Sequence, residues 1–498
     1  MQRLGNWGRR ALRFCGEIIW AIEKGVAWLM RIEPGDIRRA RVIAVVHAGT
    51  IGAVVAALLS FSISLFDSFK LNDRADAISE QAAAIMTGPF YGGLDRQGQK
   101  AITVVLINEE TLDALGVPLW PLPYSDLADI LEQIAAEKPK AIFLDVHFQK
   151  AQRGRYCLDE ASCNTASAIE AADFARRLAR IDKTAPLFIG PVSGDENLKP
   201  LKALNQLPVS FEDDHIFAYP LTASLDNGVM KTPAAALYDI WKDNRVAPPS
   251  PTDLDRVLAI DWGFGMSAAM SRHAPGARPG AACQGADMWQ RLASLGRVTK
   301  RAAFAAVEKT EDPFAERCGY SDTIPAFWMF SGTSAERSAM LKDRIVLVGA
   351  DLRYLSDYRP TPLFGETPGV MAHAMALDNL IEHGDKAIRY PAPLFMGLDQ
   401  SDLFKGALLV AGVALVFAVR AWRKTAPHRA LGWGWRSAIW VLVGGLSVCL
   451  TCALRWPMFI LLGVIVTGAG AMVISDQILA YTRQRDSKRR LFRGKPTS

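Results

Sequence analysis

The sequence predicts a multi-pass membrane protein: an extracytoplasmic α/β domain (parallel-sheet, three-layer-like) plus four transmembrane α-helices. Three observations lead there. Half of the 498 residues are hydrophobic, and many of them are clumped into long runs almost free of charge. Basic residues collect in three segments beside those runs, while the long stretch between the first two runs is acidic. That acidic stretch alternates short β-branched runs with helical ones.

The apolar runs are 42–66, 404–419, 437–454 and 457–481. A bilayer core of ~30 Å needs about 20 apolar residues in a helix. Residues 42–66 and 457–481 meet that length, whereas 404–419 is short unless Lys405 and Arg420 snorkel. The flanking segments 1–41, 420–436 and 482–498 carry net charges of +5, +5 and +6, and 67–403 carries −11. Lys and Arg gather on the cytoplasmic side of membrane proteins. The expectation is therefore an inner-membrane protein with both termini cytoplasmic, a basic cytoplasmic loop at 420–436, a basic tail at 482–498 and 67–403 in the periplasm. The basic segments then face anionic lipid, with no role in nucleic-acid binding.

Residues 10–32 are apolar but broken by Glu17, Glu23 and Lys24, and no small-residue cleavage pattern follows. Arg10, Glu17, Lys24 and Arg31 recur every seven residues, which suits an amphipathic helix within 1–41 lying at the membrane interface or against a partner. Small residues recur in the runs, among them Gly49, Gly52 and Ala56. Such positions permit close helix contact and association of copies into a homo-oligomer. Cys157, Cys163, Cys283 and Cys318 fall in the periplasmic block and are disulfide candidates, with three possible connectivities and Cys157–Cys163 favoured because one polar loop holds both. No zinc-type C-x-x-C pair occurs.

Within the block, Ile102–Ile107 reads as a first strand. The stiff run Trp120-Pro121-Leu122-Pro123 follows, and Ser125 is the expected cap of a helix with Leu127, Ile130, Leu131 and Ile134 inward. Ala141–Leu144 is the second strand, giving a parallel strand–helix–strand unit. Pro186–Gly190, Val257–Ile260 and Arg344–Val348 are further strands, and Val370–Ile381 is a helix opened by Pro368 and Gly369. Gly263–Gly280, rich in Gly, Ala and Pro, is the clearest insertion.

Three places carry chemistry. Asp145 and His147 follow the second strand, at the sheet end where ligands sit in open α/β folds. They are two apart, hence on opposite faces if the strand continues. The loop 349–359 holds Asp351, Asp357 and Arg359 after a strand-end glycine. Pro368–His373 offers a close backbone approach at Gly369 and a helix amino end, with His373 one turn in. Each also has a plain structural reading: a strand-end cap for Asp145, a loop lock for Asp357 with Arg359, and packing for His373. Glu109 and Trp120 complete the ligand-binding candidates. Walker, dinucleotide-binding, zincin and nucleophile-elbow motifs are absent. No catalytic residue, metal or cofactor is expected.

The segments Ile107-Asn108-Glu109-Glu110, Trp120-Pro121 and Ala141–Asp145 resemble the start of the type 2 CHASE domain, a cyclase- and histidine-kinase-associated sensory extracellular domain. Val346-Leu347-Val348-Gly349-Ala350, Asp357, Pro360-Thr361-Pro362, Pro368-Gly369-Val370 and His373-Ala374 look like its end, while 150–340 matches weakly. The resemblance implies a domain that senses an unknown ligand outside the cell and drives a cytoplasmic module. The 17 residues after Tyr481 are too few for such a module, so a separate cytoplasmic effector protein is expected and enzymatic output is not. The alternatives are an extracytoplasmic metal-dependent or acid–base hydrolase using Glu109, Asp145, Asp357 and His373, and a structural subunit of a cell-envelope complex.

Overall fold

The computed structural model describes residues 80–149, 160–209, 217–250, 257–270, 320–391 and 393–425, apart from a few single positions, together with scattered residues of 42–57 and 442–454. The chain forms two compact units, 80–390 and the combination of 1–79 with 391–498.

In the first unit, α1 (Gln97–Ala101) runs into β1 (Ile102–Asn108) and α2 (Glu109–Ala114). Next come α3 (Tyr124–Ala136), β2 (Ala141–Leu144), α4 (Glu160–Asp182) and β3 (Leu187–Ile189). Three short strands follow, β4 (Ala218–Pro220), β5 (Thr222–Leu225) and β6 (Gly228–Lys231), then α5 (Pro233–Asp243) and β7 (Val257–Ala259). The unit continues with β8 (Asp322–Pro325), α6 (Trp328–Ser331), α7 (Ser334–Leu341) and β9 (Ile345–Asp351). It closes with the hairpin β10 (Tyr358–Thr361) and β11 (Gly365–Pro368), and α8 (Gly369–His383).

Five strands make one all-parallel sheet in the order β3-β2-β9-β1-β8. Its inner strands are buried on both faces, as parallel strands covered by helices must be. The two-residue period divides their side chains between two cores. Val105, Ile107, Ile142, Leu144, Val346 and Val348 join α3 and α4 in one core. Ile102, Val104, Ala141, Phe143, Ile345 and Leu347 join α5 and α8 in the other. The three-layer α/β reading is thus realised.

Several local expectations change. β1 and β2 are parallel but not neighbours, because β9 lies between them and pairs with both. β7 stands outside the main sheet, antiparallel to β4. The edge strand β8 escaped notice: it is four residues long, begins with an aspartate and ends with a proline. Its Asp322 carboxylate pairs with the Arg344 guanidinium at 2.7 Å. α3 starts one residue before Ser125, with Pro123 at the N-cap, and the Ser125 hydroxyl donates to Asp126 Oδ1 at 3.3 Å. Asp126 in the first turn complements the helix dipole in its place.

The second unit contains the two-stranded hairpin β12 (Pro393–Phe395) and β13 (Leu398–Asp399), followed by α9 (Gln400–Thr425). Ala48 and Ala56 pack with Leu409, Val413 and Phe417 of α9. A β-carbon at Gly49 or Gly52 would lie 3.4 Å from Ala414 O or 3.0 Å from the Phe417 ring. The small-residue stripe therefore admits a helix of the same chain.

The expectation of four transmembrane helices is corrected. Among the described residues no helix is long and apolar enough to cross a membrane. In α9 the uncharged stretch between Lys405 and Arg420 spans only 14 residues, roughly 21 Å at 1.5 Å per residue against a core of ~30 Å. The runs at 42–66 and 437–454 are described only at scattered positions; 457–481, the helix expected within 1–41, and the basic segments after residue 425 lie outside the described residues. So do the four candidate disulfide side chains, Cys157, Cys163, Cys283 and Cys318.

Candidate functional site

The carboxyl ends of β2 and β9 meet the amino end of α8, and four of the eight candidate residues gather there. Asp145 directly follows β2, with its N–H bonded to Val348 O at 2.7 Å. Asp357 precedes β10 and Arg359 lies within it. The Asp357 carbonyl accepts from Gly369 N–H at 2.8 Å, which ties the loop to the first residue of α8. A β-carbon at Gly369 would stand 2.5 Å from Asp357 Oδ1, so the carboxylate lies directly over that glycine. His373, four residues on, occupies the same face of α8. Its Nε2 is 3.7 Å from Asp145 Oδ2.

His373 is 1% exposed and sits edge-on to the rings of Phe143 and Tyr219. The Tyr219 hydroxyl accepts from Ala234 N–H at 3.0 Å and lies 2.7 Å from His373 Nδ1. Because that oxygen already accepts one bond, we assign its proton to Nδ1, which leaves the imidazole proton on Nε2, facing Asp145. Burial, and then the Arg359 charge, pushes the His373 pKa down to about 3, so the ring is neutral near neutral pH. The 3.7 Å approach to Asp145 is a polar contact between neighbours and not a salt bridge.

Burial also pushes the Asp145 carboxyl well above the usual carboxylate range; the Asp357 charge adds to this and Arg359 opposes it. Asp357 is raised by burial too, again against Arg359, although part of the residue remains in solvent. Burial raises the Tyr219 phenol. The result is a run of groups from solvent inward: Arg359 and Asp357 at the lip, then Asp145, His373, Tyr219 and the backbone of α5.

The other candidates stay apart. Glu109 is exposed in the first turn of α2, whose N-cap is Asn108. The N–H of Trp120 donates to Tyr354 Oη at 3.1 Å, and its ring packs on the first core. Asp351 accepts from Tyr358 Oη at 2.6 Å, a loop lock. His147 points away from Asp145: its Nε2 meets Ser193 Oγ at 3.0 Å and Gln149 Nε2 meets its Nδ1 at 3.2 Å. Partial burial lowers its pKa. Among the described residues no three His, Cys, Asp or Glu side chains are grouped to hold a metal.

Sequence reasoning missed Tyr219, which lies on a three-residue strand with no motif around it. It also missed a second buried network at the far end of α8. There Tyr91 Oη donates to Asp378 Oδ1 at 2.8 Å, and Asn379 Nδ2 donates to Tyr91 Oη at 3.0 Å and to Asp261 O at 2.9 Å. A helical spacing of apolar residues along α8 signals burial without revealing which polar neighbours face it.

No curated protein and no solved structure matches the chain. The family model for the CHASE2 domain matches residues 43–417, three quarters of the length. It takes in the whole parallel sheet, α8 and all four residues of the cluster. The chain therefore belongs to the CHASE2 domain family of extracellular sensory domains.

Proposed function

We propose that the cluster of Asp145, Asp357, Arg359 and His373 is where this sensory domain reads a small external ligand, and that the signal passes to a separate effector protein. The observation that carries the reading is the series of neighbouring polar groups from the sheet's carboxyl edge into the core, a 3.7 Å approach of Asp145 to His373 followed by hydrogen bonds from Tyr219 to His373 and from Ala234 N–H to Tyr219. It joins β2 through Asp145, α8 through His373, β4 through Tyr219 and α5 through Ala234 N–H. A ligand that changes the charge or position of the outer carboxyls acts on elements of both the sheet and one helical layer. It shifts the domain between states by its difference in affinity for them.

The test is thermal unfolding of the purified full chain against a broad set of small molecules: sugars, nucleotides, carboxylic acids, amines and amino acids. Compounds that stabilise the wild type should lose most of that effect on Arg359→Gln and on Asp145→Asn. Stabilisers that act equally on both variants place the sensing site elsewhere.

A further inference from the structure

Glu80 and Tyr390 are the first and last residues of the first unit. They bond to each other across 310 positions: Tyr390 Oη lies 2.9 Å from both carboxylate oxygens of Glu80 and donates to them. The backbone leading to Tyr390 is held as well. Ala259 N–H donates to Ile388 O at 3.1 Å, and Tyr390 N–H donates to Val257 O at 3.0 Å. Residues 388–390 thus run antiparallel along β7, whose other edge is taken by β4. Leu258 stands opposite Arg389 on one side and Tyr219 on the other. Neighbouring strands lie about 4.7–4.9 Å apart, so the two steps from Tyr219 to Arg389 cover roughly 10 Å. Tyr219 is the residue whose hydroxyl meets His373. Just past β7, Asp261 N–H donates to Asn379 Oδ1 at 2.8 Å and Asn379 Nδ2 donates to Asp261 O at 2.9 Å, which fixes the same strand to the helix that carries His373.

We propose that the Glu80–Tyr390 bond is a latch between the domain's two chain ends, set by Tyr219: it is closed while the Tyr219 hydroxyl meets His373 and opens when that contact breaks. This rests on the site reading given above for what moves Tyr219, and it names the output of that site. A hydrogen bond to a carboxylate is stronger than a neutral one, yet it is a single contact. It opens without unpairing the parallel sheet. Coupling between two places needs an element with two arrangements that both of them bias, and the latch, open or closed, is that element. The chain passes to residues 1–79 at one end of it and to 391–498 at the other, so a change at the latch acts on both connections at once.

Hydrogen–deuterium exchange on the purified full chain tests this with Tyr219→Phe, which removes a hydroxyl and keeps the ring. Exchange should rise at least about fivefold in the peptides that carry Glu80 and Tyr390, while peptides of β1 and β9 change by less than about twofold. Coupling is reciprocal, so Glu80→Gln and Tyr390→Phe, made at the other end of the path, should each raise exchange in the β4 peptide at least about threefold. Urea unfolding of Tyr219→Phe, Tyr390→Phe and the double variant measures the coupling directly. Unlinked sites combine to within about twofold in the unfolding constant; the double variant should fall short of the product of the single effects by at least about threefold. Exchange that rises around β4 alone, or equally in β1 and β9, or no response of β4 to the two latch variants, or single effects that simply multiply, overturns the latch. If the compounds that stabilise the chain ignore Arg359→Gln and Asp145→Asn while these couplings hold, the site reading falls and the latch stands. If a stabiliser depends on both residues and the couplings are absent, the latch falls and the site reading stands.

Discussion

Two side chains on opposite ends of α8's surroundings set opposing pH responses. His373 is pushed down to about 3, so the folded chain holds fewer protons on it than the unfolded chain below about 6.5. Its contribution is fully present above that pH and is lost progressively as pH falls toward 3. Asp261 is pushed up to about 6 by burial, against a bond from the Thr87 hydroxyl. The folded chain retains that proton while the unfolded chain has lost it, so this group's contribution is present below about 4 and is lost as pH rises through 6. Between 4 and 6 the two slopes cancel in part. Asp261→Asn keeps an acceptor for Thr87 and removes the ionisation. It should raise stability at pH 7 by roughly 1–2 kcal/mol and leave a steeper acid decline below pH 6. Urea unfolding at pH 4, 5, 6 and 7 checks this; an unchanged stability–pH profile contradicts it.

At the scale of the element, α8 is pinned through two glycines that play different parts. Gly369 opens the helix itself, and a β-carbon there would meet the end of the Asp357 side chain at 2.5 Å. That carboxyl is partly solvated and has room to swing away. Gly98, in α1, faces the far end of α8, where a β-carbon would meet Asp378 Cγ and Oδ2 at 2.4 Å. The Asp378 carboxyl is 1% exposed and fixed by Tyr91 at 2.8 Å. The same substitution should therefore separate function from stability. Gly369→Ala should change stability by less than about 1 kcal/mol while displacing Asp357 and weakening ligand binding at least about tenfold. Gly98→Ala should cost about 2–3 kcal/mol through overpacking and leave ligand affinity unchanged. Denaturant unfolding and titration of both variants distinguish the two; a large loss of stability in Gly369→Ala would mean that Asp357 holds the helix.

For the molecule as a whole, stability of the first unit is concentrated in the sheet's middle strands. Leu347 on β9 is fully buried among residues of both neighbouring strands and the α5–α8 layer. Leu347→Ala should cost about 2–5 kcal/mol. The edge is held differently. Asp322 on β8 is almost wholly buried and depends on Arg344, which comes from the turn before β9. Removing the guanidinium leaves that carboxylate buried without its cation, at a cost of about 3 kcal/mol or more. Arg344→Met alone should be markedly destabilising, whereas Arg344→Met with Asp322→Leu should recover most of the loss. Chemical unfolding of the single and double variants measures the coupling, and additive losses would show that the pair is not the tie.

The strand period and the helical period by themselves specified β1, β2, β3, β9, α3 and α8, since each buries a face whose spacing is written in consecutive residues. They made Asp145 and His147 diverge only if the strand continued, but β2 ends at Leu144, and the contacts of His147 with Ser193 and Gln149 come from the loop that follows. The family was readable from the segments at the two ends of the domain. Strand order, the partner of β7 and the existence of β8 were decided by tertiary pairing, because hydrogen bonding between strands leaves no local trace in a short, polar or proline-bearing segment. The same holds for the site. Carboxylates and a histidine at strand and helix ends marked the region, but only folding brought Tyr219 onto His373 across 154 positions and left Glu109 outside. Apolar composition and the basic segment beside it suggested membrane crossing at 404–419, and the observed α9 falls short of it because charges close its uncharged stretch after 14 residues.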